Sequence, residues 1–303
     1  MAYLSPEEIH AAKQIDLLTY LQTNEPGELV QISSDSYCTR EHDSLKISHG
    51  KWYWFSQKFG GRTALDYLIK VKGMSFPDAV RVLNGSSFKP KNLLLPEVDS
   101  NTEEVRQYLQ GRGIHPTIID YCIENKILFQ TVDYKNALFV AYDKNGKARY
   151  GALRATKGRY KGEASGSDKR YPFSIISNPN SDTVHVFESA IDLLSYATLQ
   201  LYEGGDWRKL NMISLAGVFK PKREGVVPIA LSSFLNANPQ IRVIHLHLDT
   251  DEVGRAAATG IGQGLKNYTV IDEPPDSGKD VNEYLQLRVG LADRKEDVFE
   301  DGY

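Results

Sequence analysis

The sequence predicts an α/β protein: a C-terminal open sheet of four parallel strands, preceded by a mixed α+β segment and a small α+β N-terminal module. Two observations carry this expectation. From Asp182 onward, short apolar runs alternate with helical patterns, the rhythm of strand, crossover helix and strand in a parallel sheet. Before that point the strand candidates are short, separated by glycine and proline, and mixed with helices, so no crossover unit is completed there.

In order, Ser5, Pro6 and Glu8 supply a hydroxyl cap, a proline at the first helical position and an acid three residues after the cap. Ile9, Ile15, Leu18 and Leu21 continue as one apolar stripe up to a turn at Pro26 and Gly27. Strands are expected at Leu29–Ile32, Leu45–Ser48 and Trp52–Phe55, then helices at Thr63–Lys72 and Phe76–Leu83. Gly85, Pro90 and Pro96 among serines and lysines mark a linker over 87–101. Two short helices, Glu103–Leu109 and Pro116–Asn125, precede strands at Leu138–Tyr142 and Ala148–Arg154. The parallel set is expected at Thr183–Phe187, Met212–Ala216, Ile241–Leu248 and Tyr268–Ile271. Its helices are Ala190–Tyr202, capped by Ser189 and Asp192, then Val227–Ala237, Arg255–Lys266 and Val281–Val289. The expected divisions are 1–86, the linker, 102–176, 177–290 and a charged tail, 291–303.

With 303 residues, 41% hydrophobic and 25% charged, the chain has room for several small domains with ordinary cores. A net charge of −3 gives no overall attraction to a polyanion, so nucleic-acid binding requires a local basic patch. One exists: Lys144 to Arg170 holds nine Lys or Arg against two acids, with Gly158, Gly162 and Gly166 free to bring backbone amides onto a phosphate. Arg154, Lys169 and Arg170 are the candidate phosphate contacts, against the simpler alternative of a solvated loop. Two cysteines build no disulfide framework and fit a reducing compartment. Neither a signal peptide's apolar core nor a bilayer-length apolar run is present, so the expectation is a cytoplasmic protein without a membrane partner.

The chemistry centres on IRVIHLHLDTDEVGRAAA, Ile241 to Ala258. Alternate residues of extended backbone point the same way, so Asp249 and Asp251 leave the strand side by side. Two acids so placed repel, and a hard cation such as Mg2+ or Mn2+ relieves that repulsion. Gly254 permits close approach of backbone at the turn into the helix. Glu188 ends the first parallel strand, and Asp280 lies in the loop after the last one. Parallel strands place their C-terminal ends at one edge, where these carboxylates converge and an ion would clamp phosphate oxygens. For Asp249 and Asp251 alone, a helix-capping turn or the aspartate-nucleophile phosphatase signature are the competing accounts. His245 and His247 share a parity and form a possible metal pair, or are simply packed and hydrogen-bonded. Cys122 is expected in the core, as are Trp52 and Trp54, with Tyr53 free to stack on a base.

VHVFESAIDLLSY, MISLAG, DTDEVGRAA and GKDVNEYL, in that order, resemble the Toprim domain of DnaG-type primases, topoisomerases and related nucleases, with its Rossmann-like sheet. YLQGRGI, LFVAYDKNGKARYGALR and GSDKRYPF are similar to the segment preceding Toprim in primases. YCTREHDSLKI, WYWF, GGRTALDYL and SFPDAVRVL are similar to the primase zinc-binding module, in the shortened form of plasmid and transposon primase-like proteins. The resemblance implies Glu188 as general acid or base, and Asp249 and Asp251 as Mg2+ ligands with Asp280 and Asp192 assisting. It further implies primer synthesis by nucleotidyl transfer in replication of a mobile element, with single-stranded DNA, nucleotides and a helicase or other replication protein as partners. A Toprim-type nuclease and a catalytically weak DNA-binding accessory protein remain as alternatives. Two positions depart from the family pattern. Ser189 replaces the usual glycine, and Phe55, Ser56, Gln57, Lys58 and Phe59 stand where a second cysteine pair belongs. Cys38 and His42 alone make no tetrahedral site, so zinc is not expected and Trp52, Trp54 and Phe55 are expected to hold the module by packing.

Overall fold

The computed structural model of this chain describes residues 4–85, 93–218 and 224–292. Most of the expected linker's first half and nearly all of the tail lie outside the described residues. The chain falls into two compact units, 1–94 and 95–303.

In the first unit, α1 (Pro6–Lys13) and α2 (Leu17–Asn24) replace the single helix expected from the apolar stripe. Asp16 is the reason for the break. Its Oδ1 accepts the Thr19 N–H at 3.1 Å, satisfying an amide that a new helix start leaves without a partner. An antiparallel meander follows: β1 (Leu29–Ser33), β2 (Ser36–Thr39), β3 (Leu45–Ser48), β4 (Lys51–Trp54) and β5 (Phe59–Gly61), then α3 (Ala64–Lys70) and α4 (Phe76–Asn84). Leu45 pairs with Trp54 and Ile47 with Trp52, which puts both tryptophans on the inner face. Trp52 is buried edge-on against Phe59 and Tyr67, with Nε1 donating to the Thr63 carbonyl at 3.2 Å. Phe55 does not join this core. It is 61% exposed and packs against Tyr53, itself 43% exposed, because strand alternation turns both outward. Cys38 is buried, and the His42 ring stacks on Trp54 at 4.2 Å.

The second unit begins with α5 (Glu103–Gly111) and α6 (Pro116–Glu124). An antiparallel sheet follows: β6 (Leu128–Gln130), β7 (Ala137–Tyr142), β8 (Ala148–Arg154) and β9 (Lys161–Glu163). Gly162 belongs to β9, opposite Leu153, so it is a strand residue rather than part of a phosphate-binding loop. Next come β10 (Ser174–Ile176), β11 (Thr183–Phe187), α7 (Ala190–Tyr202), β12 (Asn211–Ser214), α8 (Ile229–Ala237), β13 (Val243–His247), α9 (Glu252–Gly264), β14 (Thr269–Asp272) and α10 (Val281–Arg288).

The second sheet runs β10-β12-β11-β13-β14. Its last four members are the expected parallel strands, and β10 adds an antiparallel edge along β12. Both faces are covered. Val184, Val186, Ile244 and Leu246 pack with Leu231, Phe234 and Ile261 on one side. Phe187 and Met212 pack with Leu194, Ala197 and Leu285 on the other, in a core continuous with Ile118, Phe139 and Phe173. The antiparallel sheet and the parallel sheet therefore share hydrophobic packing. Because β11 has β12 on one side and β13 on the other, the strand order reverses there, and open α/β sheets bind ligands at such a point beyond the carboxyl ends.

Candidate active site

Phe187 pairs with His247, so Glu188 stands one residue and Asp249 two residues beyond the last paired positions of two adjacent strands. Asp251 caps α9, with Oδ1 accepting from Val253 N–H at 3.1 Å and Gly254 N–H at 2.9 Å. Asp280 caps α10 through Oδ1 and the Glu283 N–H at 2.8 Å. Asp192, in the first turn of α7, is buried, with Oδ2 accepting from the Ser189 hydroxyl at 2.6 Å and Oδ1 from Asn282 N–H at 3.3 Å. Of Asp249 and Asp251, for which a helix-capping turn is the simpler account, Asp251 is the cap, and Asp280 plays the same part for α10. The capping account is also incomplete, because capping occupies one oxygen of each.

The charges show how closely the acids meet. Burial pushes the Glu188 carboxyl up to about 7, helped by the charges of Asp249, Asp192 and Asp251. Asp192 is likewise pushed up to about 7 by burial and then by Asp280 and Asp249. Asp249 is raised by burial and by Asp280, against the pull of Lys279. Asp251 is lowered, first by the Gly254 N–H it accepts. The Glu188 carboxylate takes no hydrogen bond among the described residues, whereas both side-chain oxygens of Asp192 accept one.

The turn that presents Asp249 is braced from three directions. Arg255 donates to the carbonyls of Leu248 at 2.8 Å and Asp249 at 3.0 Å, and its Nη1 reaches both Asp272 oxygens at 2.8 and 2.7 Å. Thr250 N–H donates to the Lys279 carbonyl at 2.8 Å, joining the loop after β14 to this turn. A Cβ at Gly254 would lie 2.2 Å from the Asp249 carbonyl oxygen, so only glycine fits there.

Lys279 was not singled out from the sequence. Its Nζ lies 3.4 Å from Asp249 Oδ2 and 3.5 Å from Asp251 Oδ2. Its position one residue before Asp280 gives no sign of this, because a fold-dependent loop contact delivers it. Arg255 likewise shows in the sequence only as a helix start.

Of the candidate phosphate contacts, the structure brings Lys169 to this edge of the sheet. Its Nζ donates to the Ala216 carbonyl at 3.2 Å and pairs with Glu163 at 2.7 Å. The next residue, Gly217, donates its N–H to the Glu188 carbonyl at 2.9 Å. Arg170 is instead held by Asp168, through Nε at 3.0 Å and Nη2 at 2.6 Å. Arg154 ends β8 opposite Lys161, in the antiparallel sheet. His245 and His247 are packed and hydrogen-bonded: His245 Nδ1 meets Glu273 at 2.9 Å, and His247 Nε2 meets His185 Nδ1 at 3.0 Å. Burial pushes His185 down to about 4 and His247 to about 3, so both are neutral rings.

The donor set fits a hard divalent ion. Glu188 and Asp249 are each raised by neighbouring carboxylates, and among the described residues the cation set between Asp249 and Asp251 is one lysine ammonium. Among the described residues no group of three or more His, Cys, Asp or Glu is closed around a ready-made cage. Mg2+ is commonly held by one or two carboxylates, with water and substrate phosphate completing its shell.

Residues 185–285 match the family described as Toprim-like, and residues 107–179 match a family described as a protein of unknown function, DUF3991. Residues 185–285 therefore form a Toprim-like domain, and the acidic rim lies inside it. It is similar to an uncharacterized protein of Bacillus anthracis, 29% identical over 82% of this chain and 77% of the other. A 65 kDa protein of Zymomonas mobilis is 25% identical over 92% of this chain, which spans 49% of that relative. Among solved structures it is similar to the primase fragment of the bacteriophage T7 primase-helicase, with 17% identity, a TM-score of 0.45 and coverage of 82% of this chain and 90% of that one. The Aquifex aeolicus primase, zinc-binding and RNA polymerase domains, is 15% identical with a TM-score of 0.39, over 95% and 85% of the two chains. No helix among the described residues is long and apolar enough to cross a membrane.

Proposed function

We propose that this protein carries out divalent-metal-dependent phosphodiester chemistry on DNA, and that the reaction is primer synthesis of the DnaG type, serving replication of a mobile element in the cytoplasm. The observation supporting it most directly is that Glu188 and Asp249 stand beyond the paired ends of neighbouring strands in a Toprim-like domain, where the Asp249 charge raises the Glu188 carboxyl. Asp249 and Asp251, with Glu188 and Asp280, would hold Mg2+ or Mn2+. When bound, the ion neutralises and orients phosphate oxygens and acidifies the attacking hydroxyl.

The chain's own residues divide the remaining work. Glu188, with a pKa near 7, is suited to pass a proton to or from a reacting oxygen at neutral pH. Asp192, with a hydrogen bond on each oxygen, serves by fixing the start of α7 and of α10. Lys169 faces the rim and is the first candidate for a nucleotide or template phosphate, with Arg154 and Arg170 further along the same segment. Residues 102–176 would then handle nucleic acid and 177–290 the chemistry. Residues 1–86 would engage single-stranded template through Tyr53 and Phe55 without zinc, and a helicase or other replication protein would bring the chain to its site.

The test is incorporation of labelled ribonucleotides on a single-stranded template with Mg2+, comparing wild type with Glu188→Gln. Template-dependent products lost in the variant support the proposal. Degradation of plasmid or single strands without nucleotides, lost in the same variant, replaces primase with nuclease. Blank results in both assays, with Glu188→Gln silent in cells, leave a DNA-binding accessory protein.

A further inference from the structure

We propose that Lys279 is a resident counterion of the acidic rim, one that a divalent ion must displace and whose ammonium then turns to the substrate's phosphate; this rests on the metal-centre reading above. Its Nζ lies between Oδ2 of Asp249 and Oδ2 of Asp251, at 3.4 and 3.5 Å. These are the same oxygens that a bound ion would take, since Oδ1 of Asp251 is committed to the start of α9. Ammonium and ion therefore compete for one place.

The lysine is built to leave. Direct charge-assisted contacts are near 2.7–2.9 Å, so both of its contacts are long. Its side chain is 56% exposed, which lets water screen the pair. The backbone of the same residue is fixed. Its N–H donates to Glu283 Oε2 at 2.6 Å, and its carbonyl accepts from Thr250 N–H at 2.8 Å and Thr250 Oγ1 at 3.1 Å. Gly278, at φ +80°, makes the turn that allows this stitching. The ammonium can thus swing away while the loop stays, and a flexible four-carbon stem anchored at the rim keeps its charge beside any phosphate bound there. A doubly charged ion also gains about twice the Coulomb attraction of an ammonium at equal distance, which offsets its larger dehydration cost while it keeps part of its water shell.

The experiment is a Mn2+ titration of the full chain by calorimetry and by metal-induced change in melting temperature, for wild type, Lys279→Met and Lys279→Arg. Removing a loose, exposed competitor should tighten Mn2+ binding in Lys279→Met by about two- to fivefold. The ion-free variant should melt lower, because the carboxylates lose their counterion, and gain more on adding Mn2+. Its metal-loaded form should bind a nucleoside triphosphate more weakly than wild type. Lys279→Arg, with a fork that grips two carboxylates at once, should bind Mn2+ more weakly than wild type. Equal or weaker Mn2+ binding by Lys279→Met overturns the role of the lysine and leaves the metal centre standing. If wild type takes up no Mn2+ and Asp249→Asn behaves identically, the metal centre and the counterion role fall together.

Discussion

Replacing Gly254 by alanine sets two effects against each other in one helix. Alanine is the better helix former by up to ~1 kcal/mol, so propensity alone predicts a gain. The added Cβ would, however, lie 2.2 Å from the Asp249 carbonyl oxygen and 2.9 Å from its carbon, both backbone atoms. That carbonyl is held by Arg255 Nε at 3.0 Å and cannot retreat without losing the brace. Overpacking of this kind costs roughly 1–3 kcal/mol, and here it also displaces a candidate metal ligand. Gly262 lies in the same helix with nothing within 4 Å of its would-be Cβ, so Gly262→Ala should gain roughly 0.5–1 kcal/mol. The expected result is a net loss of about 1–2 kcal/mol for Gly254→Ala, with weaker Mn2+ binding, beside a small gain for Gly262→Ala. Urea denaturation of both variants measures this, following the transition that Mn2+ shifts, since the chain has two compact units. Equal stability of the two alanine variants, with Mn2+ affinity intact, would refute the close approach and the role given to this turn.

Asp192 in the folded chain keeps its proton up to about 7, against an ordinary value of 3.8, so the folded state holds the extra proton in that window and stability falls as pH rises through it. Relative to wild type, Asp192→Asn should therefore become steadily more stable from about pH 4 to 7 and level off above; parallel urea profiles for the two proteins would contradict this. Tyr53→Ala and Phe55→Ala, on the outward face of β4 and just past its end, should each weaken single-stranded DNA binding by roughly 1–3 kcal/mol for a stacked base while leaving thermal stability nearly unchanged. Fluorescence anisotropy with an oligonucleotide, beside a melting curve, separates that outcome from a folding defect.

The elements most legible in the sequence were those that bury both faces or carry a cap. Thr183–Phe187 and Ala190–Tyr202 have the limits expected, because a continuous apolar run meets Ser189 as a helix cap. Strands β2, β5, β6, β9 and β10 were not anticipated. They are three or four residues long, too short for alternation to stand out, and exist because longer neighbours pair with them. The acids were legible for a topological reason: parallel strands bring residues after each C-terminal end to one edge, wherever they fall in the chain. The partners of those acids were not. Lys279 reaches Asp249 through a loop-to-turn contact, Arg170 is drawn to Asp168 two residues away, and His185 meets His247 across a strand pairing no local pattern announces.

The capping and metal-binding accounts of the rim are compatible, and the oxygen atoms show how. The N-termini of α7, α9 and α10 all open at this edge, and their unpaired amides carry partial positive charge. Asp251 and Asp280 each spend Oδ1 on those amides, which lets the carboxylates stay together without an ion. Oδ2 of Asp251 remains turned toward Lys279, as does Oδ2 of Asp249. Asp192 has each oxygen in a hydrogen bond, which ties the start of α7 to that of α10. The Glu188 carboxylate, which accepts no hydrogen bond among the described residues and is pushed up by burial and by its neighbours' charges, is the one with most to gain from a proton or a cation. If the rim were only a set of helix caps, neither Glu188 nor Asp249 would have a reason to be there.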